Sequence, residues 1–273
     1  MDHSGVSDHY ARRDLIAAIR DGITASGKTT ATVSVDDLAA VDEFHIGGRG
    51  ATEDLFRQLA PSASDHLLDI GSGLGGPARF AADRYGCRVT GIDLTRDYVE
   101  AGNAICRWIG LDDLVCLHEG DVLSLPFPDG TFSAAYMLHV GMNIADKARL
   151  FCEAARVLRP GARLAIYDVM RILDGELRFP LPWATTRDAS AVATPEEYRS
   201  ALRAAGFAIL AERDRRDFAL AYFRQQQSKM AAEPPPLGLH TLMGERRQAQ
   251  VQNMIENISI GRIAPFEMFA RSI

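Results

Sequence analysis

Apolar residues recur every three or four positions between residues 14 and 23, at Leu15, Ile16, Ile19 and Ile23, which predicts a helix with one buried face. A short second helix is expected near 35–41. Beyond the stretch HIGGRGAT the pattern changes to apolar runs of strand length at 67–70, 88–92, 115–117, 132–138 and 164–169. Helical periodicity fills the gaps at 77–85, 96–108 and 146–158. Strand alternating with helix predicts an α/β chain whose parallel sheet is covered on both faces. Residues 171–193 lack periodicity and read as an inserted loop. The capping signal TPEE, starting at Thr194, opens a helix to 205, and FAILAER reads as a strand. Residues 219–232 are helical, EPPPLGLH is a rigid break, and a last helix spans 244–260 ahead of the apolar tail APFEMFARSI.

Composition narrows the class without naming it. The chain has 273 residues, 47% hydrophobic and 24% charged, which fits one globular domain with appendages. Its 30 Lys and Arg stand against 36 Asp and Glu, a formal charge of -6, so no basic excess is available for nucleic acid or an anionic membrane. Cys87, Cys106, Cys116 and Cys152 lack metal-site spacing and fall in apolar or helical runs. Buried free thiols in a reducing cytosol are expected, with no metal site. Neither a signal peptide nor a run of roughly 20 apolar residues is apparent, so a cytoplasmic chain is expected.

Two glycine loops compete for the main site. Residues 22–29, GITASGKT, match the phosphate loop of nucleotide hydrolases letter for letter. A working phosphate loop follows a buried strand and opens a helix. Here IAAIRD before it is helical, and TATVSVDD after it is a poor helix former. The run LAIYD ending at Asp168 imitates a magnesium-binding strand, yet many parallel strands end in an acid. This first loop therefore reads as a helix end at Gly22 or Gly27 followed by an exposed Lys28. The second loop, LLDIGSGLGG at 67–76, follows an apolar strand and precedes a helix. Gly71, Gly73 and Gly76 spell the dinucleotide fingerprint, with Asp93 closing the next strand where it can grip ribose hydroxyls. Asp69 separates the possible ligands. A carboxylate two residues before the first glycine opposes a pyrophosphate but suits a ligand bearing an ammonium group. Asp121 beside Val122 and Leu123 can accept from an adenine amino group while the apolar side chains pack on the ring.

With LLDIGSGLGGPARFAA, VTGIDLT, GDVLSLPFPDGTFSAAYMLHV and ARVLRPGARLAIYD in order, the chain resembles class I S-adenosylmethionine-dependent methyltransferases over residues 44–169. HIGGRGAT and SGLGGPAR resemble the small-molecule N-methyltransferases acting on phosphoethanolamine, sarcosine and dimethylglycine. The resemblance implies a Rossmann-like, doubly wound sheet of seven strands, six parallel and one antiparallel. It implies a helical lid and gate at 1–55, a donor-binding domain at 56–273 and a substrate-side insertion at about 171–193. It places Asp69, Gly71, Ser72 and Gly73 at the methionine portion of S-adenosylmethionine, Asp93 and Leu94 at the ribose, and Asp121 and Val122 at the adenine. The backbone of Met137 and Leu138 would meet the methionine amino group.

The acceptor side carries weaker signals. His139 after the fourth strand is the candidate base. His45 sits among gate glycines. Trp183 in the insertion can stack on an amine, and Arg171, Arg178 or Arg187 can pair with a carboxylate. Tyr10 is a candidate donor cover. The expected reaction is methyl transfer to a small molecule, releasing S-adenosylhomocysteine, with a glycine-derived amine such as sarcosine or dimethylglycine as first acceptor. The alternatives are oxygen or carbon methylation of an isoprenoid or quinone-like metabolite, a non-catalytic S-adenosylmethionine binder, and a nicotinamide dehydrogenase.

Overall fold

The computed structural model describes residues 14–230, 236–242 and 247–273. Tyr10, residues 231–232 and residues 244–246 of the expected helices lie outside them. One sheet is built from β1 (His66–Ile70), β2 (Arg88–Asp93), β3 (Val115–Glu119), β4 (Phe132–Leu138), β5 (Leu158–Arg171), β6 (Phe207–Asp214) and β7 (Ile263–Ser272). Its order is β3-β2-β1-β4-β5-β7-β6, with β7 antiparallel to both neighbours and the other six strands parallel. The apolar tail is thus an inserted strand: Ile166 pairs with Met268 on one side of β7 and Ala208 with Arg271 on the other.

The unbroken apolar runs reflect burial on both faces. Leu68, Ile70, Ala135, Met137 and Ile166 meet Phe151, Leu202 and Tyr198 on one side. The intervening Leu67, Ala134, Tyr136, Ala165 and Tyr167 meet Leu55, Phe56 and Ala81 on the other. Each fully buried large apolar side chain contributes about 1.5–3 kcal/mol.

Covering helices are α1 (Leu15–Ala25), α2 (Val35–Asp42), α3 (Gly48–Leu59), α4 (Gly76–Tyr85), α5 (Arg96–Trp108), α6 (Lys147–Val157), α7 (Pro195–Ala204), α8 (Arg216–Met230) and α9 (Arg247–Ser259). Their starts follow the side-chain chemistry. Asp146 caps α6 through Arg149 N, and Thr194 with Glu197 forms the expected capping box of α7. Gly22 does not end α1; it lies inside the helix against Leu237, and the chain turns at Gly27 with φ 78°. Helix α3 was not expected, and the division at residue 55 falls inside it. Its Ala51, Leu55, Phe56 and Leu59 seat it on the sheet, while Leu15, Ile19 and Leu38 of α1 and α2 pack with Leu74, Tyr98 and Ile105. Cys87 and Cys106 are buried as expected, but Cys116 and Cys152 are exposed, because they occupy the outward positions of β3 and α6. No described helix is long and apolar enough to cross a membrane.

Candidate active site

The sheet's connections reverse direction at β1 and β4, so a crevice opens beyond the carboxyl ends of these two strands. A cavity of about 800 Å³ fills it. Its floor is the second glycine loop. The Gly71 and Ser72 amides donate to Ile92 O at 2.9 and 3.0 Å, which folds the chain tightly over β2. Gly71 has φ 74°, and a Cβ there would stand 2.4 Å from Val140 Cγ2, so both conformation and space call for glycine. Asp93 Oδ2 accepts from Gly73 N and Oδ1 from Thr95 N, each at 2.8 Å, and Asp121 Oδ1 accepts from Leu123 N at 2.8 Å. These bonds orient both carboxylates at the cavity wall, where Leu94 and Val122 join them.

The floor is acidic, and Asp69 and Ser72 in it are buried. Asp69 is 2% exposed and lies opposite Tyr136 across the β1–β4 pairing. Burial, followed by the charges of Asp93 and Glu43, pushes its carboxyl up to about 8 against the pull of Tyr136 and Arg79. The Tyr136 hydroxyl sits beside this carboxyl without hydrogen-bond geometry, and Asp69 Oδ2 and Ser72 Oγ have no hydrogen-bond partner. Burial also raises Asp93 above the usual carboxylate range. Asp42 and Glu43, at the end of α2, add two more buried carboxyls to the wall.

His45 belongs to this gate segment and its tautomer follows from its neighbours. Thr52 Oγ1 donates to Glu43 Oε2 at 2.6 Å, and Gly48 O can only accept. His45 Nε2, 3.1 Å from Thr52 Oγ1 and 3.2 Å from Gly48 O, therefore carries the hydrogen, leaving Nδ1 as the acceptor nitrogen. Burial lowers its pKa to about 4. His139 follows β4 with φ 55°, a left-handed conformation that histidine tolerates better than most residues. Its amide donates to Tyr167 O at 2.8 Å, its ring lies 5.1 Å from that of Tyr167 and 6.0 Å from that of His45, and its Nε2 has no partner. Burial and then the neighbouring His45 hold its pKa well below the ordinary value, so the ring is neutral. Beyond His139 the wall turns apolar, with Met142, Ile144, Trp183, Phe223, Val251 and Met254 facing the space.

A family model described as a methyltransferase domain matches residues 68–166. O-methyltransferase resE of Aspergillus sclerotiorum is 30% identical over 187 residues, spanning 67% of this chain and 69% of that protein. The chain belongs to the class I S-adenosylmethionine-dependent methyltransferases. A sarcosine/dimethylglycine N-methyltransferase of Halorhodospira halochloris is 31% identical over 153 residues, 56% of this chain and 54% of that protein. The chain spans about half or less of the length of several curated relatives it matches. Among solved structures, geranyl diphosphate C-methyltransferase from Streptomyces coelicolor A3(2), in complex with Mg²⁺, geranyl-S-thiolodiphosphate and S-adenosyl-L-homocysteine, superposes with a TM-score of 0.72. At 19% identity over 99% of this chain and 98% of that one, this likeness speaks to the fold.

The methyltransferase uses S-adenosylmethionine, and its cavity suits that donor. The buried carboxyl of Asp69, with Oδ2 unpartnered, suits the methionine ammonium, a hydrogen-bond donor with positive charge, and does not suit a pyrophosphate. Of the expected site residues, Asp69, Gly71, Ser72, Gly73, Asp93, Leu94, Asp121, Val122, Leu138, His139, His45 and Trp183 all line the one cavity. Met137 points into the core on the opposite face of β4. Arg171 is not part of the wall: β5 extends to this residue, and its guanidinium bonds Gly175 O at 3.0 Å. Arg178 pairs with Glu256 and Arg187 sits in an exposed turn. Trp183 is only 3% exposed, with its indole N–H on Ser190 Oγ at 3.1 Å, so it is a fixed wall. Lys28 is outside the cavity and pairs with Asp37. Sequence reading missed Asp42, Glu43 and the α8 and α9 side chains Phe223, Val251 and Met254. The periodicity of α9 was visible, but nothing local showed which space it would face.

Proposed function

We propose that the methyltransferase acts on an oxygen or carbon atom of a small molecule with a largely apolar body, and that His139 is its base. The observation that carries this reading is the neutral imidazole of His139 in a cavity that Met142, Ile144, Trp183, Phe223, Val251 and Met254 also line. Such a lining favours an apolar body by its burial and leaves the imidazole as the group that takes a proton.

The donor, when bound, supplies a methyl group on a positively charged sulfur. The chain's own residues do the rest. Asp93 and Asp121, each fixed by backbone amides, hold ribose and adenine, and Asp69 receives the ammonium group. The tight turn at Gly71 brings Val140 and the post-β4 segment close to the donor floor. His139, neutral because burial and His45 disfavour its charge, accepts the proton that the acceptor loses. The roof formed by α8 and α9 excludes water from the reacting atoms.

A second reading, methylation of a glycine-derived amine such as sarcosine or dimethylglycine, is favoured by one observation. Asp42 Oδ1 is buried at the cavity wall without a partner and suits a cationic amine. An acceptor screen read by S-adenosylhomocysteine release separates the two. Turnover of apolar phenols, enols or polyprenyl compounds, with none of sarcosine or dimethylglycine, supports the first reading. The converse result selects the second.

A further inference from the structure

We propose that Asp69 is a neutral carboxylic acid until the donor binds, and that it then gives up its proton to solvent, so that donor binding by this methyltransferase is a proton-releasing step. The inference rests on the assignment of Asp69 to the donor's ammonium group.

The geometry around Asp69 explains why it would hold a proton. The carboxyl is walled in at the end of β1, where Oδ2 has no well-formed hydrogen bond and the donor acting on the carboxyl is the uncharged Tyr136 hydroxyl. The charged and titratable groups that act on it come from four directions. Asp93 at the end of β2 and Glu43 at the end of α2 are both acids and oppose a second negative charge. Tyr136, on β4, is neutral. The cation among them, Arg79 on α4, is already committed: it donates to Asp42 Oδ2 at 2.7 Å and to Leu74 O at 2.6 Å. His45 and His139 nearby are uncharged. An ionised Asp69 would therefore be a buried anion facing two acids, with its strongest neighbouring cation neutralised by another carboxylate.

A ligand ammonium reverses that balance. It places one positive charge and up to three N–H donors against the unpartnered oxygen, the condition under which a buried carboxyl ionises. The Asp69 O–H bond breaks and the proton passes to buffer; no electron changes hands. Linkage then fixes the sign. The donor binds the deprotonated form, so affinity rises with pH below the free-protein value of about 8 and falls by about tenfold for each pH unit further down.

The test is calorimetric titration with S-adenosylhomocysteine, which carries the same amino-acid end, in two buffers of different ionisation enthalpy at about pH 7. The expected release is close to one proton, roughly 0.9, per ligand bound, and about a tenfold loss of affinity between pH 7 and 6. Asp69→Asn should bind without that release and with little change over the same range. Should this variant fold poorly, the wild-type infrared difference spectrum decides: binding should remove the protonated-carboxyl intensity of one group. Binding without proton release in the wild type, or release that persists in Asp69→Asn, overturns the proposal while leaving the donor site intact. Failure of the wild type to bind at all overturns the donor assignment and this proposal together.

Discussion

Arg79 Nη2 lies 2.7 Å from Asp42 Oδ2, and both side chains are wholly buried. This pair ties the end of α2 to the helix that follows the glycine loop. The contact is close enough that a Cβ on Gly76 would stand 2.3 Å from Asp42 O. Arg79 also holds Leu74 O, so one guanidinium fixes both the gate and the donor floor. Removing one partner strands a buried charge. Asp42→Ala should therefore lower unfolding free energy by about 3–5 kcal/mol. The double variant Asp42→Ala/Arg79→Met should lose less than the sum of Asp42→Ala and Arg79→Met. Denaturant titration of all three checks this; additive losses would mean that the two residues act independently.

His139 separates the acceptor readings. For an oxygen or carbon acceptor, His139→Ala should lose about a hundredfold to ten-thousandfold in turnover, and the loss should persist at alkaline pH. For an amine, activity should largely return as pH rises and the ammonium proton leaves to water. In the wild type, the acid limb assigned to His139 should fall below the ordinary histidine range, because burial and His45 disfavour the charged ring. Pre-steady-state pH profiles of wild type and variant measure both effects. At each pH the donor affinity of His139→Ala should match that of the wild type.

Asp69 should also mark the stability of the donor-free protein. Its folded pKa, about 8, lies above the unfolded carboxylate value of roughly 3.9. A raised value contributes stability that is complete below the unfolded pKa and is lost as pH climbs through the folded one. Asp69→Asn should thus raise Tm little at about pH 4 and progressively more up to about pH 8, with a plateau beyond. Thermal melts across that range report the difference; an increment that shrinks with rising pH would contradict the placement.

The donor floor was legible because its information is local. An apolar strand, a glycine turn and a helix start occur within the run from Leu67 to Tyr85, Asp93 ends the next strand, and Asp121 follows the one after it. The acceptor side was not, because it is assembled from distant segments. Arg171 looked free to reach a substrate until β5 carried it past the cavity to Gly175. Phe223 and Met254 are ordinary apolar helix positions until α8 and α9 fold over the crevice. The tail APFEMFARSI showed no period because β7 is buried on both faces between β5 and β6, where alternation disappears. The phosphate-loop match at Lys28 was a coincidence of letters: its loop follows a helix, and its ammonium meets Asp37 at 2.5 Å on the surface.

The second glycine loop, and not the first, holds the donor, and S-adenosylhomocysteine titrated calorimetrically into wild type, Asp93→Ala and Lys28→Ala tests this most directly. Losing hydrogen bonds to a charged group, each worth roughly 1.5–3 kcal/mol, should weaken Asp93→Ala by about tenfold to a hundredfold. Lys28→Ala should bind as the wild type does, with at most about 1 kcal/mol lost in stability from a partly exposed ion pair. Unchanged affinity in Asp93→Ala together with lost binding in Lys28→Ala would contradict the assignment of the cavity.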